Sequence, residues 1–169
     1  MLTELGVIIL IVVIVGLILL TRRNRFVISH WSHFFKFFSM SSEGFYTELE
    51  KILRIHEMPN STIKRAILKE GGLFSSSRVY LRIQHIDLIF DVCASPFGKD
   101  FFISWWLYRF VSRSTSIERT FYEIDEEDMF RSCVHNCILE AIDEMTKDQG
   151  TLQLTDSDRI FTTTARKPN

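Results

Sequence analysis

Residues Leu5 to Leu20 read LGVIILIVVIVGLILL, sixteen positions without one polar side chain. No other stretch of the chain limits its possible folds so strongly. With Leu2 and Thr21 as flanks the run reaches about twenty residues, the length a helix needs to cross a bilayer. Its transfer into lipid is favourable by about 5 kcal/mol. A cleaved leader would begin with basic residues and end on a small-residue cleavage site. Here the start is the acidic Met1-Leu2-Thr3-Glu4, and the run is followed by Thr21-Arg22-Arg23-Asn24-Arg25. A buried core helix would need apolar cover on every side, more than a domain of this size offers. Residues 1–25 are therefore expected to be a single transmembrane anchor with a basic flank. Because positive flanks stay inside, the N-terminus is expected outside and the rest of the chain in the cytoplasm, at the inner (plasma) membrane of a bacterium.

The remaining composition agrees with a cytoplasmic domain. Three cysteines, Cys93, Cys133 and Cys137, form no disulfide framework and suit a reducing compartment. A formal net charge of −1 argues against a long nucleic acid as partner.

Residues 26–40, FVISHWSHFFKFFSM, place Val27, Ile28, Trp31, Phe34, Phe35 and Phe38 on one broad face if wound as a helix. This segment reads as an interfacial or linking helix, or as one packed on the domain or between protomers. Residues 41–150 then form the cytoplasmic domain. Ser41-Ser42-Glu43 can cap a helix carrying Phe45, Leu49, Ile52 and Leu53, which Pro59 ends. Past Pro59 the period changes from 3.6 to 2. Ser61–Lys69 is a candidate strand. Arg78–Gln84 alternates cleanly, with Val79, Leu81 and Ile83 on one face and Arg78, Tyr80, Arg82 and Gln84 on the other. Leu88–Cys93 and Asp100–Phe110 complete an antiparallel meander. The last of these is apolar on both faces and needs cover on both. Thr120–Ile124 reads as a further strand. Asp125 reads as the cap of an amphipathic helix with Phe130, Cys133, Val134, Cys137, Ile138, Ala141, Ile142 and Met145 in its stripe. Residues 151–169 form a polar, threonine-rich tail, expected to be partly disordered.

Few positions carry chemistry. Cys133 and Cys137 bracket His135 but lack the second ligand pair of a zinc site, and the apolar stripe accounts for both. Gly98-Lys99-Asp100 lacks the first glycine and the hydroxyl of a phosphate loop. No nucleophile motif is present, so no catalytic residue, metal or cofactor is assigned. One constellation has more content. Arg78, Tyr80 and Arg82 share a strand face, and Lys99 and Arg109 lie in neighbouring segments. Guanidinium forks fit phosphate oxygens and a tyrosine can stack on a base. The same arginines could instead form cross-strand ion pairs, Asp91 beside Arg78 or Arg82 being one candidate.

The runs RVYLRIQHIDLIFDVCASPFGKDFFISWWL (78–107) and TFYEIDEEDMFRSCVHNCILEAIDEMTKDQG (120–150) resemble those of uncharacterised bacterial membrane-anchored α+β proteins. In layout and size the chain also resembles the membrane effectors of type III CRISPR defence. That resemblance implies a cytoplasmic domain binding a cyclic oligonucleotide, cyclic oligoadenylate, and acting by disturbing the membrane. It brings no motif and no catalytic residue.

The expected fold is α+β, a transmembrane helix followed by an antiparallel sheet packed by helices. The expected function is non-enzymatic. The domain binds an anionic ligand through Arg78, Tyr80, Arg82, Lys99 and Arg109 and alters how transmembrane helices associate. A membrane-tethered scaffold recruiting a protein is the alternative. One helix cannot line a pore, so a homo-oligomer is expected, with the aromatic strand and the phenylalanine-rich segment at its interface.

Overall fold

The computed structural model describes residue 6 and residues 24–69, 77–111, 119–147 and 153–163. The apolar run expected to be the anchor falls outside these residues, apart from Gly6. Among the described residues no helix is long and apolar enough to cross a membrane.

The chain forms β1 (Asn24–Phe35), α1 (Ser42–Ile55), β2 (Ser61–Lys69), β3 (Ser77–His85), β4 (Leu88–Phe97), β5 (Asp100–Val111), α2 (Phe121–Thr146) and β6 (Thr162–Thr163). The strands make one sheet in the order β2-β3-β4-β5-β1-β6, and every pairing described is antiparallel. The meander expected from the period-2 segments is thus present, with β4 running on to Phe97.

Both helices lie on one face of the sheet. Leu81, Ile83, Phe90, Val92, Phe101, Ile103, Trp105 and Leu107 point into that layer and are buried. Phe45, Leu49 and Leu53 of α1 and Val134, Cys137, Ile138, Ala141 and Ile142 of α2 meet them. Each fully buried Leu, Ile or Phe in such a layer contributes about 1.5–3 kcal/mol of transfer free energy. Ser41 caps α1 as its sequence suggests, its hydroxyl accepting from the Gly44 N–H at 3.0 Å.

Two local expectations are corrected. The helix expected within 26–40 is strand β1 over Asn24–Phe35, paired along its length with β5. A register shift between Val27 and Ser29 explains the misreading. The bulge adds one residue, so Ile28 and Trp31, three apart, enter the same layer, and Phe35 follows four later. Spacings of three and four are what a helix gives. The strand expected at Thr120–Ile124 is instead the first turn of α2. Thr120, not Asp125, is its cap, in a reciprocal capping box with Glu123. The aromatic pair Phe121–Tyr122 supplied the strand signal, yet both rings point into solvent.

Part of the tail expected to be partly disordered is described. Residues 153–163 are packed, with Leu154 buried and Phe161 against the ring of Trp105. Trp31 donates its indole N–H to the Asp158 carbonyl at 2.6 Å. Arg159 binds Asp143 with both terminal nitrogens, at 3.0 and 2.7 Å. Polar composition hides this packing, which rests on Leu154, Phe161, Asp158 and Arg159, while Ile160 stays exposed.

Candidate functional site

The opposite face of the sheet has no helix over it among the described residues. Its centre is a lateral row in strict register, Lys64, Arg82, Asp91, Trp106 and His30, one residue from each of β2, β3, β4, β5 and β1. Arg82 grips Asp91 with Nε on Oδ1 at 2.7 Å and Nη2 on Oδ2 at 2.8 Å. Tyr108 completes the group, accepting from Arg82 at 2.8 Å and donating to Asp91 Oδ2 at 2.7 Å. Burial and the hydrogen bond to Asp91 push the Tyr108 phenol well above its ordinary value, and the carboxylate raises Arg82 further. Both carboxylate oxygens and the guanidinium are therefore satisfied within the protein. Beside this group the imidazole of His30 stacks on the indole of Trp106, ring centroids 4.8 Å apart and planes 15° from parallel.

Beside the ion pair Tyr80, Ile89, Cys93 and Tyr108 are buried, and towards β5 and β1 the face turns apolar and exposed. Trp106 is 43 % exposed, Phe34 41 % and Val27 38 %. Phe34 meets Phe97 edge-on at 6.3 Å and Phe102 at 6.4 Å.

The five residues expected to hold an anion do not converge. Arg78, Tyr80 and Arg82 do share this face, by the alternation of β3. Arg78 is exposed, Tyr80 is largely buried, and Arg82 is committed to Asp91. Lys99 lies in the β4–β5 turn. There Gly98 supplies the φ of 65° the turn needs, beside an open recess of about 420 Å³ lined also by Lys36, Phe37, Phe97 and Asp100. Arg109 points to the helix-covered face, where it binds Asp87 at 2.7 Å and approaches Glu127 at 3.9 Å. The cross-strand alternative, Asp91 with Arg82, is the one realised.

Sequence reasoning missed the polar groups between sheet and α2. Glu127, Arg131 and His135 lie at intervals of four along α2, beside its apolar stripe, and all are buried. That spacing was the signal available. Arg119, Arg109 and Arg131 surround Glu127, the first at 2.5 Å. Burial still raises the Glu127 carboxyl above its ordinary range, against the pull of the three cations. His135 is held at both nitrogens. Trp105 Nε1–H donates to Nδ1 at 3.0 Å, so Nδ1 is unprotonated and Nε2 donates to the Arg159 carbonyl at 2.7 Å. Burial holds the imidazole below its ordinary value. Burial also pushes the Cys137 thiol up to about 12, which leaves it a poor nucleophile. Among the described residues no three His, Cys, Asp or Glu side chains cluster to hold a metal.

The His135 geometry sets a pH dependence. Below pH ~6.5 an unfolded chain protonates this histidine, whereas the folded chain resists, because Nδ1 would lose its Trp105 donor. Its contribution to stability is complete above that value and falls as pH drops through it towards the lower folded value. His33, also lowered by burial and opposed by Asp158, adds in the same direction. Arg131, Asp143 and Arg159 are the other charged side chains around this site. The thermal midpoint of the full-length protein in non-ionic detergent is expected to fall between pH ~7.5 and pH ~5.5. The slope should flatten in His135→Phe.

The chain matches no known protein family and no curated protein.

Proposed function

We propose that the chain is a single-pass membrane protein whose α+β domain, tethered by residues 1–25 on the cytoplasmic side, acts without catalysis as an assembly module. Copies associate through the face of the sheet opposite the two helices, at its exposed aromatic side. One observation carries this reading. β5 is apolar on both faces, helices cover one, and the other leaves Trp106, Phe34 and Val27 exposed around an ion pair that is already satisfied. Protein interfaces have this character, an aromatic centre with polar groups internally paired. A second copy is the occupant that tethering favours, since anchoring confines copies to one plane and raises their effective concentration. A self-complementary face about a two-fold axis is also the commonest closed arrangement. Any disturbance of the membrane by such a chain would depend on this association.

A second reading is a sensor of a small anion, such as a cyclic oligonucleotide. Arg78, Tyr80 and Arg82 lying on one face favour it. Against it, a phosphate would have to displace Asp91 from Arg82.

Light scattering on the full-length protein in detergent tests the first reading. The expected protein mass is a multiple of 19.9 kDa. Trp106→Ser combined with Phe34→Ser should return one copy per micelle with an unchanged circular-dichroism spectrum. A wild-type monomer would sink the assembly module. Calorimetric binding of cyclic oligoadenylate that disappears in Arg78→Ala would move the function to the sensor reading.

A further inference from the structure

Four apolar side chains stand uncovered at one end of the domain. Phe121 and Tyr122 open α2 and are each 86 % exposed, and Ile124 follows at 36 %. Ile86, in the β3–β4 turn, is 60 % exposed with φ of 53°. That conformation disfavours a β-branched residue, so the turn is not what selects isoleucine.

Ion pairs show that these residues share one end. Asp87, next to Ile86, binds Arg109 at 2.7 Å, and Arg109 approaches Glu127 of α2 at 3.9 Å. In the sheet Arg109 is the partner of Phe26, so β1 begins at this same end, with Arg25 opposite Phe110. The amino-acid sequence sets how far a bilayer can be. Only Thr21, Arg22 and Arg23 separate Leu20 from Asn24, the first residue of β1. Four Cα steps reach at most about 14 Å.

We infer that this end of the domain lies on the bilayer, Phe121, Tyr122 and Ile86 entering the headgroup layer and the exposed Arg25 meeting lipid phosphates. The inference rests on the membrane-anchored reading above and adds a second contact between domain and lipid. The occupant is the surface of the same bilayer the anchor enters, because a tether this short leaves little room for a protein between them. Aromatic rings with a polar edge favour the headgroup region, and guanidinium groups pair with its phosphates. Glu123, Asp125 and Asp128 are exposed on the same turns of α2. The contact is therefore aromatic insertion into a zwitterionic layer, not attraction to net negative charge. The opposite end provides a control. β1 runs twelve residues, about 40 Å at the rise of an extended strand, before the exposed Phe37 and Phe97 are reached.

The test uses full-length protein in phosphatidylcholine nanodiscs, in a Cys133→Ser background, since Cys93 and Cys137 are buried. One environment-sensitive fluorophore is placed at Tyr122→Cys, and in a second sample at Phe97→Cys. Headgroup-nitroxide lipid is expected to quench the label at 122 several-fold more than the label at 97, and aqueous iodide should show the reverse order. Equal quenching at both positions would overturn the inference. So would a label at 122 shielded from both quenchers, which would mean protein covers that end. A chain that does not enter nanodiscs at all would instead remove the anchor itself, a different failure.

Discussion

Asp91→Ala is expected to destabilise the protein by about 3–5 kcal/mol, among the largest losses any single substitution outside the apolar core should cause. Asp91 and Arg82 are both largely screened from water, their side chains 4 % and 16 % exposed. Removing the carboxylate leaves the guanidinium with only the Tyr108 oxygen to donate to, and the Tyr108 hydroxyl without its acceptor, in a site where water replaces the carboxylate poorly. The double variant Asp91→Leu with Arg82→Met should recover most of that loss, because no charge is left unpaired. Denaturant unfolding of the three proteins in the same detergent measures both numbers. A single variant losing less than about 1 kcal/mol would show the pair to be solvated like an ordinary surface bridge. The outcome also governs how binding experiments are read. Loss of ligand binding in Arg82→Ala would report the collapse of this group unless the variant is shown to be folded.

Trp105→Ala should cost about 3–5 kcal/mol as a large-to-small change in the core, at the upper end because two effects combine. Trp105 is fully buried, its ring 4.6 Å from Phe90 and 5.6 Å from Phe161. Its N–H is also the donor that fixes the His135 tautomer. Without it the ring proton can move from Nε2 to Nδ1, and the Arg159 carbonyl then loses its donor. Residues 153–163 should then protect their amides less in hydrogen exchange than the sheet does. Trp105→Phe, which keeps most of the volume but removes the donor, separates the two effects. It should retain much of the stability while losing the protection of 153–163. If that segment stays protected in Trp105→Phe, the histidine is not what holds it.

Much of this fold was legible because period and burial coincide in β2 to β5 and in the stripe of α2. Arg78 to Gln84 could hardly be anything but a half-buried strand. Legibility failed where one residue altered the phase. The bulge at Ile28 made a strand imitate a helix, and the pairing that corrects the error lies some eighty residues away in β5. At Thr120 the local signal was correct, since Thr followed three residues later by Glu is a capping box, but the aromatic pair beside it outweighed that signal. The candidate site was half visible. The Arg82–Asp91 pair follows from alternation, as cross-strand neighbours, whereas Tyr108 enters only through the β4–β5 register. That Arg109 faces away from Arg82 likewise depends on register. Composition could not reveal the packing of 153–163, because its contacts are few, specific and distant in sequence.

Beyond β1 the sheet has only the two residues of β6, and among the described residues only Ser29 and His30 of β1 pair with them. Among the described residues β6 is held there by a few contacts, those of Leu154, the Asp158 turn, Arg159 and Phe161. The C-terminal segment thus works as a stopper in an open seam. Proteolytic trimming after Gly150 would unseat it and present twelve residues of extended, aromatic backbone as a template for any strand able to add to it. Such a chain would have the growth of its sheet past β1 restrained by residues 153–163.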